Sequence, residues 1–166
     1  MIRSVKREDA ARRAEIYGWY VENTTVSYEL SAPDCAEMLR RIEETTKAYP
    51  WLVYEEEGKV IGYAYAHKFA EREAYLPSAE IAAYLDREKL GAGRGLVLVQ
   101  ALLKDLLEYG CHTAVALVSH DNDASAGLCL RLGFEHAGRL CNIGRKFGRW
   151  LSLDYYTLPL KAYTDE

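Results

Sequence analysis

The stretch "AEIAAYLDREKLGAGRGLVLVQALL", Ala79–Leu103, sets three glycines, Gly91, Gly93 and Gly95, within five positions between two apolar runs. Glycines at alternate positions let a loop take positive φ and bring its amides close to a ligand, most often a phosphate. A nucleotide P-loop requires G-x-x-x-x-G-K-[S/T], and no Lys-Ser or Lys-Thr follows these glycines. A dinucleotide fingerprint requires G-x-G-x-x-G early in a βαβ unit, whereas the spacing here is G-x-G-x-G in mid-chain. A plain glycine-rich turn and a phosphate loop of another kind both remain, and the surrounding sequence has to separate them.

Upstream, "MIRSV" reads as an opening strand. "EDAARRAEIYGWYVEN" reads as a helix with Ala14, Tyr17 and Val21 on one face at steps of three and four. After the loop "TTVSYE", the cap-like "SAPD" opens the polar "CAEMLRRIEETTKAY", an exposed helix that Pro50 ends. "WLVYEEEGKVIGYAYAHKF" is two β-prone runs about Glu57-Gly58-Lys59, the pattern of an antiparallel hairpin, and Ser78 to Leu85 is a further strand. Downstream of the glycines, "LVLVQALLKDLLEYG" is apolar on nearly every face, as a helix packed beneath a sheet would be, and Gly110 stops it. "CHTAVALVS" is a strand, "HDNDAS" a turn in which Asn122 caps a short helix, and "LGFEHAGRLCNIG" and "WLSLDYYTLPL" are closing strands about "RKFGRW". The order β-α-α-β-β-β-α-β-α-β-β predicts an α/β fold with a sheet of mixed direction.

The chain has 166 residues, 49% of them hydrophobic, which suits one domain over 1–166 with a real core. A net charge of -4 with no long basic run argues against a nucleic-acid partner. Cys35, Cys111, Cys129 and Cys141 lack metal or redox spacing and no leader-like segment opens the chain, which predicts reduced thiols and a cytoplasmic location. The longest apolar stretch, Leu96 to Leu103, is far short of the roughly 20 residues of a membrane span, so no membrane partner is expected. His67, His112, His120 and His136 show no ligand spacing, and no metal is expected.

The segment from Glu80 to Phe134 as a whole, an acid-bearing strand, the glycine loop, a buried helix, a strand, "NDAS" and "CLRLGF", resembles the GNAT superfamily of acyl-CoA-dependent N-acetyltransferases. That superfamily's pyrophosphate loop is Q/R-x-x-G-x-G/A; Leu90 to Gly95 matches its glycines and departs at Leu90. Four patches extend the likeness to the phosphinothricin-type acetyltransferases: "NTTVSYE" at Asn23–Glu29, "FAEREAY" at Phe69–Tyr75, the loop-to-"NDAS" segment, and "GRKFGRW" at Gly144–Trp150, similar to G-x-K-x-G-x-W. The resemblance implies a central mixed sheet of about seven strands flanked by about four helices. It also implies acetyl-CoA as cofactor and transfer of acetyl to the amine of a small molecule, an amino-acid analogue of the phosphinothricin or methionine sulfoximine type. A homodimer is expected on the same ground. A non-catalytic acyl-CoA-binding module, or an acetyltransferase for a protein N-terminus or a polyamine, would keep the same motifs.

The resemblance also assigns roles. Leu90, Gly91, Ala92, Gly93, Arg94 and Gly95 hold the cofactor pyrophosphate through their amides and the positive end of the next helix, with Arg94 adding charge. Backbone at Ala83, Tyr84 and Leu85 lays out the pantetheine arm, and Asn122 and Ser125 of N-x-A-S approach it. Glu80 is the general base, and burial there would raise its pKa toward neutrality. Tyr28, Phe69, Arg72 and Tyr75 line the acceptor pocket, Arg72 as a fork for an anionic group; Ala70 stands where relatives carry a basic residue. Cys129 occupies the place of a tyrosine or histidine that can protonate the leaving thiolate, and an ordinary cysteine pKa of about 8.5 suits such an acid.

Overall fold

The computed structural model describes residues 1–161, so the last five residues of the expected domain lie outside it. The chain runs β1 (Ile2–Ser4), α1 (Ala10–Asn23), α2 (Cys35–Thr45), β2 (Trp51–Glu56), β3 (Lys59–Lys68), β4 (Ser78–Leu85), α3 (Arg94–Glu108), β5 (Thr113–Ser119), α4 (Asp123–Arg131), β6 (Glu135–Lys146) and β7 (Arg149–Pro159). The order is the one the sequence predicts. All seven strands form one sheet, β1-β2-β3-β4-β5-β7-β6, antiparallel throughout except for the parallel pair β4 and β5.

Both hairpins close through two-residue turns with both φ values positive, Glu57-Gly58 and Phe147-Gly148, the twist that suits flanking strands. The closing strands therefore run into "RKFGRW" rather than stopping on either side of it, and Lys59 already pairs with Glu56. The second helix ends at Thr45, and Pro50 leads into β2 instead of terminating the helix.

Alternation along the strands sorts side chains into two layers. Trp51, Val53 and Tyr63 face α1 and α2, joining Ile16, Tyr17, Val21, Met38 and Ile42. The α2 helix buries only Met38 and Ile42, as the exposed helix of the sequence reading would. Leu52, Ala64, Ala66, Ala79, Ala114 and Ala116 face α3 and α4, and these small side chains let α3 lie close to the sheet with Leu98, Val99, Leu102 and Leu106 inward. Val97 and Leu107 are exposed, so α3 is buried along one stripe and not all round. On the α1 side Arg13 is completely buried, its guanidinium 3.7 Å from the Trp51 ring centroid and 4.0 Å from that of Tyr63. Among the described residues no helix is long and apolar enough to cross a membrane.

Candidate active site

The parallel pair is short. Ser78, Ala79, Glu80 and Ile81 pair with Thr113, Ala114, Val115 and Ala116, and there the ladder stops. Beyond it β4 stays paired with β3 as far as Leu85, and β5 with β7 as far as Ser119. The two strands fork, and backbone groups of Ala82–Leu85 that face away from β3 lack a strand partner. A cleft of about 530 Å³ occupies the fork, with Ala82, Ala83 and Tyr84 on one arm and Leu117, Val118 and Ser119 on the other. Free amides and carbonyls along an extended edge can take a linear, amide-containing ligand as a third strand would be taken. Ala83 and Tyr84 line the cleft; Leu85 does not and ends the arm, its carbonyl accepting from the Tyr20 hydroxyl at 2.6 Å.

At the end of β4, after a turn at Arg87–Lys89, come the glycines. Gly91, Ala92 and Gly93 are all left-handed, with φ of 83°, 53° and 73°, and Gly93 is the N-cap of α3. No side chain caps α3; Arg94 N–H donates to the Gly91 carbonyl at 3.3 Å, and the next two amides, of Gly95 and Leu96, are left for solvent or a ligand at the positive end of the helix dipole. A Cβ at Gly91 or Gly93 would meet nothing within 4 Å, so backbone conformation, not crowding, is what calls for glycine there. Gly95 is different: it is helical, and a Cβ would stand 3.6 Å from Leu128 and 3.7 Å from Leu85. Leu128 lines the cleft, which puts the helix start at its mouth. Leu90 is exposed. Arg94 is not free to meet a phosphate unaided: its Nε donates to Glu56 Oε1 at 2.8 Å.

Asn122 caps α4, its Oδ1 accepting from Ser125 N at 3.1 Å, and both residues also line the cleft. One turn on, Cys129 lines the same space and is buried. Burial pushes its thiol up to about 11, which removes the match to a leaving thiol that the sequence suggested.

Glu80 lines the cleft with its side chain 23% exposed, half-buried rather than enclosed, and it has a neighbour the motifs did not name. His67 on β3 is its direct cross-strand partner, with Nε2 3.6 Å from Glu80 Oε1. His67 Nδ1 lies 2.9 Å from the Lys68 carbonyl. Burial lowers the affinity of His67 for a proton, but the Glu80 carboxylate and the Lys68 carbonyl outweigh it and hold the imidazole above its usual value.

The Ser27–Glu29 loop forms the opposite wall. Arg41 reaches both carboxylate oxygens of Glu29, at 2.9 and 2.6 Å, and holds it below the usual carboxylate range; the Tyr17 hydroxyl also donates to it. Lys146, the lysine of "GRKFGRW", is buried and donates to the Ser27 carbonyl at 2.7 Å. Tyr28 lines the cleft and donates to the Ser152 carbonyl at 2.9 Å. Gly144 makes room for it, since a Cβ there would stand 3.1 Å from the Tyr28 ring.

The other acceptor residues are elsewhere. Phe69 and Tyr75 pack edge to face, centroids 5.7 Å apart, on the β3–β4 connection, and Arg72 between them is exposed; none of the three lines the cleft. His67, Glu29 and Tyr17, by contrast, line it without having been singled out. Glu29 lay inside a quoted patch, but nothing in its spacing told of Arg41. Among the described residues no group of three or more metal-ligating side chains is placed to hold an ion.

The free edge of the fork and the uncapped start of α3 fit the two parts of a coenzyme A, its amide-bearing arm and its pyrophosphate. Residues 2–152 match the acetyltransferase (GNAT) domain family. The chain is 35% identical over 163 residues to a phosphinothricin N-acetyltransferase of Alcaligenes faecalis, covering 97% of this chain and 83% of that one. It is also 35% identical over 147 residues to an L-methionine sulfoximine/L-methionine sulfone acetyltransferase of Pseudomonas aeruginosa, covering 87% and 86%. A GNAT superfamily phosphinothricin acetyltransferase from Sinorhizobium meliloti, solved in complex with acetyl-CoA, superposes with a TM-score of 0.92 at 35% identity over 96% of this chain and 87% of that chain.

Proposed function

Because the chain belongs to the GNAT acetyltransferase family and is an acetyl-CoA-dependent N-acetyltransferase, we propose that it acetylates the α-amino group of an amino-acid analogue of the phosphinothricin or methionine sulfoximine type. Glu80 is the general base of this reading. The observation that carries it is the placement of the Glu80 carboxylate in the same cleft as the free edge of β4. When bound, acetyl-CoA supplies the thioester whose carbonyl carbon the amine attacks. The chain's own residues then have separable tasks. The amides of Gly91–Gly95 and the start of α3 anchor the anionic end, the free edge of β4 at Ala83 and Tyr84, which Leu85 ends, aligns the arm and its carbonyl, and Asn122 and Ser125 hold the far side. Glu80 takes a proton from the acceptor ammonium. Proton return to the departing thiolate falls to solvent or to the nascent ammonium, because donation from Cys129 at about 11 to a thiolate of ordinary pKa about 8.5 runs uphill by about 3 kcal/mol.

Arg72, exposed on the β3–β4 connection between Phe69 and Tyr75, is the candidate for an acceptor carboxylate or phosphinate. A second reading, an amine without an anionic group such as a polyamine, is supported by the cleft lining itself, which includes Glu80 and no lysine or arginine. We take residues 1–166 as one domain. We also propose a cytoplasmic homodimer formed through β6, an edge strand exposed along most of its length that presents Leu140 and Ile143, with Phe147 and Trp150 exposed at its turn. A panel of amino acids, phosphinothricin, methionine sulfoximine, polyamines and N-terminal peptides, read by release of free thiol, tests the function. Preference for the amino-acid analogues is the expected result; thiol release with polyamines alone would replace it with the second reading, and none with any acceptor would leave a binding module.

A further inference from the structure

His67 belongs to no motif of the sequence, yet it stands directly across the sheet from Glu80 with its ring within 3.6 Å of the carboxylate. We propose that His67 carries the proton away from Glu80 to solvent in each turnover; this rests on the reading of Glu80 as general base.

Three observations carry it. First, register: His67 and Glu80 are directly opposed on antiparallel strands, so their separation is set by the sheet and not by a mobile loop. Second, orientation: with Nδ1 at 2.9 Å from the Lys68 carbonyl, the neutral ring keeps its proton on Nδ1 and turns the lone pair of Nε2 toward Glu80. The 3.6 Å from Nε2 to Oε1 is closed by a small side-chain rotation or by one water. Third, access: the His67 side chain is 38% exposed against 23% for Glu80, so of the two it is the more open to water.

The proton balance is complete. The acceptor ammonium loses H⁺ to the Glu80 carboxylate; Glu80 passes it to His67 Nε2; the imidazolium releases it to water, and both groups return to their starting forms. Acetylation of an ammonium by a thioester yields amide, thiol and one net proton, which is the proton His67 delivers. The titratable neighbours of His67 are the Glu80 carboxylate from β4 and the neutral Tyr65 on its own strand, at a ring distance of 5.9 Å. The Lys68 ammonium is turned to Glu71, and Glu29 is neutralised by Arg41. Because Glu80 holds the imidazole above its usual value, a protonated His67 blocks the relay on the acid side, and turnover falls as pH drops through that raised value.

The test uses the full chain with His67→Gln, His67→Ala and Glu80→Gln, each checked by its affinity for acetyl-CoA. At low buffer concentration both His67 variants are expected to lose kcat by about 10²-fold, the lower end of a proton-transfer contribution, with acceptor KM unchanged. Added imidazole restores His67→Ala and not Glu80→Gln. By NMR the His67 ring titrates above the ordinary histidine value of about 6.5 in the wild type and moves back toward it in Glu80→Gln. Slow Glu80→Gln beside His67 variants of wild-type rate, or His67 variants slowed with no imidazole rescue, overturns the relay alone. Wild-type turnover in Glu80→Gln overturns the general-base reading and the relay with it.

Discussion

Ile81 of β4 and Ala116 of β5 form the last rung between those two strands, and everything the cleft does follows from the absence of a next one. Ala82–Leu85 and Leu117–Ser119 run on paired only with their outer neighbours, which leaves free backbone edges in the middle of a sheet. Glu80 sits just before the fork, and its side chain lines the cleft.

Replacing that carboxylate separates chemistry from binding. Glu80→Gln keeps acetyl-CoA affinity and lowers turnover at neutral pH by about 10² to 10⁴, the range of a general base. The deficit shrinks at high pH, where free amine accumulates. Turnover at neutral pH equal to the wild type would remove Glu80 from the mechanism.

Gly93 holds the left-handed N-cap of α3 in open space, so a side chain there meets strain and no clash. Gly93→Val weakens acetyl-CoA binding by about tenfold, since the left-handed conformation costs an L residue on the order of 1–2 kcal/mol. Calorimetry measures this, and a melting curve close to wild type confirms that the fold is intact. Gly95→Ala, with ordinary contacts at 3.6 and 3.7 Å, is expected to change affinity less.

For the acceptor, Arg72→Ala raises KM for amino-acid substrates and leaves a neutral amine of similar size unaffected. Steady-state kinetics on the two acceptors decides it, and equal effects on both would make Arg72 structural.

Cys129 separates a packing role from an acid. With its thiol pushed up to about 11 by burial, it stays protonated across neutral pH and contributes no alkaline limb below about pH 10. Cys129→Ala therefore keeps the pH profile of kcat. A limb between pH 7 and about 9 that vanishes in the variant would restore the thiol as the acid.

Asp154 on β7 is 6% exposed and accepts from His120 Nδ1, His136 Nε2 and Arg139 Nε, each at 2.8 Å. Burial opposes its ionisation, but Arg139, His136 and His120 outweigh burial and hold it below the usual carboxylate range. A depressed carboxylate stabilises the fold above its unfolded value of about 3.9, and that contribution is lost as pH falls through the lower folded value. Asp154→Asn lowers stability at pH 7 by about 1–3 kcal/mol, the cost of spoiling a buried polar partner. The gap to the wild type narrows in acid, and urea unfolding at neutral and acid pH measures it.

The sequence by itself determined what is local. Positive-φ turns at Glu57-Gly58 and in the glycine loop, the Asn122 cap, the order of elements and the family's motifs all depend on residues within a few positions of one another. The tertiary structure alone decided what depends on register and burial. His67 and Glu80 are 13 positions apart and meet only because β3 and β4 align in one register out of several possible. Arg41 and Lys146, remote from Glu29 and Ser27 in sequence, reach them only once α2 and β6 are packed in place. Arg72 is exposed and Cys129 is the buried residue of α4 for the same reason: exposure is a property of the packed whole, and a side chain's proton affinity follows from what the packing removes from water.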